Sequence, residues 1–174
     1  MRGFTIWITG LSGSGKTTIA NKLSEYFAKE KIKHEVLDGD YLRDNVAQDL
    51  GHSEKEREML RKRIVFVSKL LLKHDIPCIL PGVYSTKAIR SYARSELKNF
   101  VEVYLKCPYE VCEQRDPKGH YKKVREGTLK DFVGFDMPYE EPENPEVVLE
   151  TDKLNPEECV NKIIEKVKSL EHLD

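Results

Sequence analysis

Long apolar runs are missing from this chain of 174 residues. None approaches the ~20 residues that cross a bilayer, so no membrane span is expected. Net charge is nearly missing as well: 29 Lys and Arg stand against 30 Asp and Glu. Without a global basic field, nucleic acid is not expected as the main partner, and any positive potential must be local. Cysteine is sparse and scattered, at Cys78, Cys107, Cys112 and Cys159, with no C-x-x-C or zinc-ligand spacing. No secretory leader is read ahead of the first strand, so small buried thiols in a reduced, cytoplasmic setting are expected. Internal repeats and low-complexity tracts are also missing. With 39% apolar and 34% charged residues, residues 1–174 are expected to form one domain, large enough for a central sheet covered by helices.

What is present is organised around Gly10-Leu11-Ser12-Gly13-Ser14-Gly15-Lys16-Thr17, followed by Thr18. The spacing G-x-x-x-x-G-K-[ST] is a phosphate-binding loop. Its glycines let successive backbone N–H groups turn toward phosphate oxygens, and the helix that follows aims its positive end at the same place. Lys16 is placed to reach the β- and γ-phosphates of ATP, and the Thr17 hydroxyl to ligate Mg²⁺.

The β-rich run 5–9 predicts the strand that delivers this loop, and apolar spacing after Thr17 predicts a helix to about residue 31. A second short strand, 34–37, ends in Asp38-Gly39-Asp40 and is expected to pair with the first in a right-handed parallel unit. Ligands of such sheets bind beyond the carboxyl ends of the strands, which puts Asp38 and Asp40 on the loop's edge. Two carboxylates there can organise Mg²⁺ and take a proton from an attacking hydroxyl. Spacing alone does not divide the roles; we assign the metal to Asp38 and the hydroxyl to Asp40. Ser53 and Glu56 form a capping-box pattern ahead of a long helix. Arg43 and Arg57 are suited to bidentate contacts with an anionic acceptor, whereas Arg61 and Arg63 have ion pairs with Glu54, Glu56 and Glu58 as an alternative. The run holding Arg115, Lys118, Lys122, Lys123 and Arg125 is dense in cations, and glycine, prolines and aromatics follow it. It predicts a mobile flap, about residues 113–145, that closes over ATP and excludes water. Phe132 and Phe135 are its core residues or a stacking surface for a base. The expected fold is α/β, a P-loop kinase with a parallel sheet of about five strands and helices on both faces.

At this point the sequence resembles the adenylylsulfate kinases. Their blocks G-L-S-G-[SA]-G-K-[ST]-T, D-G-D-x-x-R, D-L-G-F-S-x-x-D-R, C-E-x-R-D-x-K-G-L-Y-x-K-A-R and F-T-G-I-D-x-P-Y-E-x-P are matched in order by residues 10–18, 38–43, 49–57, 112–125 and 132–142. The resemblance implies ATP-dependent phosphorylation of a ribose 3′-hydroxyl on a nucleotide that ends in an unusual anion. The ATP side is intact, with Asp38, Arg115 and Lys118 all matching. The departures lie on the acceptor side. His52 stands where the family has a phenylalanine that stacks on the acceptor adenine, and Leu60 replaces an acceptor-binding asparagine. The family's I-S-P-Y stretch aligns with Val83-Tyr84-Ser85-Thr86. These changes keep cytidine diphosphoramidate, the acceptor of relatives in capsule phosphoramidate pathways, as an alternative to adenylyl sulfate. Two further alternatives are an ATP-binding regulator and a P-loop kinase for a sugar acid or alcohol. A homodimer stays open.

Overall fold

The computed structural model describes residues 2–51 and 53–170. Their order is β1 (Thr5–Thr9), α1 (Lys16–Lys29), β2 (Glu35–Val36), α2 (Gly39–Val46), α3 (Glu54–Leu72), β3 (Cys78–Gly82), α4 (Lys87–Glu96), β4 (Phe100–Lys106), α5 (Tyr109–Arg115), α6 (His120–Arg125), β5 (Val147–Glu150) and α7 (Pro156–Ser169). The five strands form one sheet in the order β2-β3-β1-β4-β5, and every pairing is parallel.

β1 is buried along its whole length. Because successive side chains alternate across a strand, it feeds two cores. Phe4, Ile6 and Ile8 join Leu23 and Phe27 of α1 and Ile163 of α7 on one face. Trp7 joins Leu60 and Ile64 of α3 and Ala93 of α4 on the other. Helices therefore cover both faces, as the sequence predicts. The four cysteines are free and buried.

Local signals decide where the long helices begin. Ser53 Oγ accepts from the Glu56 N–H at 3.4 Å, and the Glu56 carboxylate accepts from the Ser53 N–H at 3.1 Å, closing the capping box of α3. Asn155 and Glu158 do the same for α7, with Pro156 at its start.

One expectation needs correction. β2 does not pair with β1, because β3 lies between them and β2 hydrogen-bonds only to β3. With two residues, β2 is an outer strand whose neighbour is set by long-range pairing rather than by its own sequence. Within the cationic run, Tyr121 and Val124 bury one face of the short helix α6.

Candidate active site

The phosphate loop lies between the buried end of β1 and the first turn of α1. Gly13 has φ +78°, and a Cβ there would sit 2.5 Å from the Cys112 carbonyl oxygen, so only glycine fits between the loop and α5. The carbonyls of three successive loop residues are each held by a side chain from far along the sequence. Tyr121 Oη donates to Ser12 O at 2.8 Å, Arg115 Nη1 to Gly13 O at 3.4 Å, and Thr151 Oγ1 to Ser14 O at 2.9 Å. Arg115 Nη2 also donates to Thr151 O at 2.7 Å. With the carbonyls secured from behind, the loop's geometry is fixed before any anion arrives.

Lys16 Nζ donates to Gly10 O at 3.0 Å and to Leu11 O at 2.6 Å, curling over the loop it belongs to. Burial lowers its pKa to about 8, and the neighbouring Lys118 charge pushes the same way. A desolvated ammonium among carbonyls is suited to an anionic partner.

Facing the loop is the start of α2. Asp38 is its N-cap, and Oδ1 accepts from the Asp40 N–H at 2.9 Å. The pair thus belongs to a helix start rather than to a bare turn. Asp40 is ion-paired with Lys118, from the segment between α5 and α6. Hydrogen bonding to Asp40 raises the Lys118 pKa, with burial opposing it.

One cavity of about 1320 Å³ gathers these groups. Its wall includes Ser12, Gly13, Ser14, Gly15, Lys16, Thr17 and Thr18 from the loop and α1, with Asp38, Asp40, Arg43, Arg57, Leu60, Arg115, Lys118 and Phe132. Of the residues expected at the site, Gly10 and Leu11 are not on that wall; they meet Lys16 through their carbonyls. His52 lies outside the described residues.

Arg43 Nη1 donates to Leu50 O at 3.1 Å and Gly51 O at 2.6 Å, bracing the approach to α3. Arg57 Nη1 reaches Met137 Sδ at 3.7 Å. The alternative ion pairs of Arg61 and Arg63 are not formed. Arg61 Nη2 donates to Val83 O at 3.1 Å, and Arg63 makes a fork-to-fork pair with Asp49 at 2.6 Å; Glu58 pairs with Lys62 instead. The cationic run also divides. Arg115, Lys118 and Lys123 line the cavity, but Arg125 pairs with Glu113 and Lys122 approaches Glu126. Phe132 packs edge-on against Tyr121, ring centroids 4.9 Å apart, while Phe135 is exposed beneath the Arg125 guanidinium.

Sequence reasoning missed Tyr121 and Thr151 as supports of the loop, and Tyr139, whose hydroxyl lies 2.8 Å from Thr9 Oγ1 at the end of β1. Only Tyr121 and Tyr139 fall inside the motif blocks; Thr151 follows the last strand with no local mark of its contact.

A P-loop between the central strand and first helix of a parallel sheet, facing an acidic helix start across one cavity, defines a P-loop kinase. The chain belongs to the adenylylsulfate kinase family, whose profile matches residues 2–150. It is 44% identical over 172 residues to the adenylyl-sulfate kinase of Gloeothece citriformis, covering 99% of this chain and 98% of that protein. It is 43% identical over 173 residues to a probable adenylyl-sulfate kinase of Pyrococcus abyssi, covering 99% of each. Among solved structures, the Mycobacterium tuberculosis APS kinase in complex with AMPPNP and APS superposes with a TM-score of 0.91 at 35% identity, covering 96% of this chain and 98% of that one. No helix among the described residues is long and apolar enough to cross a membrane.

Proposed function

We propose that this chain is an ATP-dependent adenylyl-sulfate kinase, transferring the γ-phosphoryl group to the ribose 3′-hydroxyl of adenylyl sulfate. One observation carries the reading: Lys16 of the phosphate loop and the Asp38–Asp40 helix start line a single cavity that also holds Arg43 and Arg57. The names of the relatives supply the acceptor, and the mycobacterial structure holds a triphosphate analogue and APS together.

In this reading the loop's N–H groups and Lys16 hold the β- and γ-phosphates. Asp40 accepts the 3′-hydroxyl proton as the new O–P bond forms and the bond from the γ-phosphorus to the β-phosphate oxygen breaks, releasing ADP. Lys118 leaves Asp40 and moves its charge to the migrating phosphoryl group. Arg43 and Arg57 grip the acceptor's anionic tail. The Thr17 hydroxyl and the Asp38 carboxylate are hard oxygen donors that fit Mg²⁺. Among the described residues no cluster of three or more His, Cys, Asp or Glu could hold a metal ion. Held by the Thr17 and Asp38 oxygens, the ion would supply positive charge against the negative charge that develops on the phosphates. Residues 1–174 act as one domain, with about 113–145 as the lid that excludes water.

Cytidine diphosphoramidate is the rival acceptor. Its support is Leu60, an apolar side chain on the cavity wall where the family pattern has asparagine; the names of the relatives do not favour it. The test is ATP turnover with each acceptor side by side. ADP release that requires adenylyl sulfate, with a 3′-phosphorylated product identified by mass spectrometry, is the expected result. Turnover of the cytidine compound alone replaces the acceptor, and turnover of neither removes the kinase reading.

A further inference from the structure

Tyr84, a residue of the cavity wall beside α3 and the end of β3, carries a buried hydroxyl. Tyr84 is 2% exposed, and its hydroxyl has no hydrogen-bond partner among the described residues. The ring is fixed from both sides. It stacks on Trp7 with centroids 3.6 Å apart and 26° between planes, and a Cβ at Gly82 would sit 2.6 Å from it. Arg90 Nη1 holds the Tyr84 carbonyl at 2.7 Å, so the backbone is anchored as well.

An unpaired phenol in such a site is costly and calls for an explanation, and of the buried polar atoms without a partner among the described residues this one lies beside Arg61 on the cavity wall. The surroundings supply that explanation. Tyr84 lines the same cavity as Arg57 and Arg61, one turn apart on α3, with Leu60 and Ile64 supplying apolar wall between them. Arg61 Nη2 is tied to the carbonyl of Val83, the residue before Tyr84. Burial pushes the phenol well above its usual pKa, with Arg61 opposing, so the hydroxyl keeps its proton and is a donor. A neutral donor near the Arg61 guanidinium, with Arg57 on the same cavity wall, is the makeup of an anion site. The stretch also departs from the family's I-S-P-Y pattern, so that pattern assigns no role to this tyrosine.

We infer that the Tyr84 hydroxyl is a specificity-determining donor for the terminal anionic group of the acceptor nucleotide. The inference rests on the kinase reading above and adds the group that reads the end of the acceptor.

The test compares the unaltered protein with Tyr84→Phe, which keeps the ring on Trp7 and removes only the hydroxyl. Steady-state kinetics are measured with ATP and adenylyl sulfate, and AMP, which lacks the terminal sulfate, is titrated as a competitor. The expected result is a rise of about tenfold in KM for adenylyl sulfate, the size of one hydrogen bond to a charged group. The KM for ATP and the inhibition constant for AMP stay unchanged, and the melting temperature is unchanged or higher because an unpaired buried group is gone. An unchanged KM for adenylyl sulfate, with or without a lower melting temperature, overturns the inference by assigning the hydroxyl to packing. Equal weakening of AMP and adenylyl sulfate overturns it too, since the hydroxyl would then read the part they share. A lack of turnover by the unaltered protein strikes the kinase reading itself, whereas normal turnover with an unresponsive Tyr84→Phe strikes only the tyrosine.

Discussion

Arg115 and Thr151 meet behind the phosphate loop, the guanidinium donating to the Thr151 carbonyl at 2.7 Å and reaching Gly13 O at 3.4 Å. Thr151 in turn holds Ser14 O through its hydroxyl at 2.9 Å. α5 and the end of β5 are thereby joined through the loop's own backbone. A lysine at 115 carries the charge but has no planar fork to serve both carbonyls. Arg115→Lys is expected to raise KM for ATP about tenfold, the equivalent of one well-made hydrogen bond, and to leave KM for the acceptor unchanged. Initial-rate kinetics with each substrate varied in turn check it.

The position of Lys16 predicts a pH dependence. Its pKa is lowered from 10.5 to about 8, chiefly by burial, and in the proposed reading the charged form is the one that holds phosphate. Activity at subsaturating ATP should therefore decline as pH rises through about 8. Saturating ATP, whose phosphates favour the ammonium, should move that decline to higher pH. Stability has the opposite slope: a lysine whose pKa is lower folded than unfolded adds stability as pH climbs from about 8 toward 10.5. Lys16→Ala is accordingly expected to abolish turnover without lowering the melting temperature at pH 7. Calorimetry beside an ATP turnover assay tests both halves.

How much of this was legible beforehand depended on whether each feature is local. The phosphate loop and the Ser53–Glu56 capping box are written in nearby residues, and each stands where its spacing indicates. The β-rich run 5–9 indicated the strand that delivers the loop, and the structure divides its side chains between two cores. The neighbour of β2 was not legible, because two residues carry no pairing code and β3 inserts from 43 positions away. Nor were the partners of Arg61 and Arg63: helical spacing offered glutamates, but Val83 O and Asp49 lie nearer in space. The supports given by Tyr121 and Thr151 cross 109 and 137 positions, beyond the reach of any local pattern. At the site, residue types could be read from motifs; which of them face one cavity could not.

The ion pair between Lys118 and Asp40 separates function from stability. The side chains are 52% and 74% exposed, so solvent screens the pair and it contributes little to the fold. Asp40→Asn removes the proposed proton acceptor and should lower kcat by about a hundredfold or more. Lys118→Ala should lower kcat as well, if its charge serves the migrating group as proposed. Both variants should melt within a degree or two of the unaltered protein, as expected for an exposed pair. A large loss of melting temperature in either would make the contact structural.

Leu60 is where packing and acceptor choice meet. It is 7% exposed and belongs to the apolar cluster of Leu37, Leu42 and Ile64, yet it also lines the cavity at the position where the family pattern has asparagine. Leu60→Asn should therefore have two effects of opposite sign. Loss of the buried isobutyl group costs about 2–5 kcal/mol of stability, toward the lower figure because the cavity side can hydrate the amide. The amide also offers the acceptor one hydrogen bond, worth about 0.5–1.5 kcal/mol net, or roughly two- to tenfold in affinity. The ratio of kcat/KM for adenylyl sulfate over cytidine diphosphoramidate should rise by that factor while the melting temperature falls. If the melting temperature falls and the ratio stays fixed, Leu60 serves the core alone, and acceptor choice must be sought in Arg57, Arg61 and Tyr84.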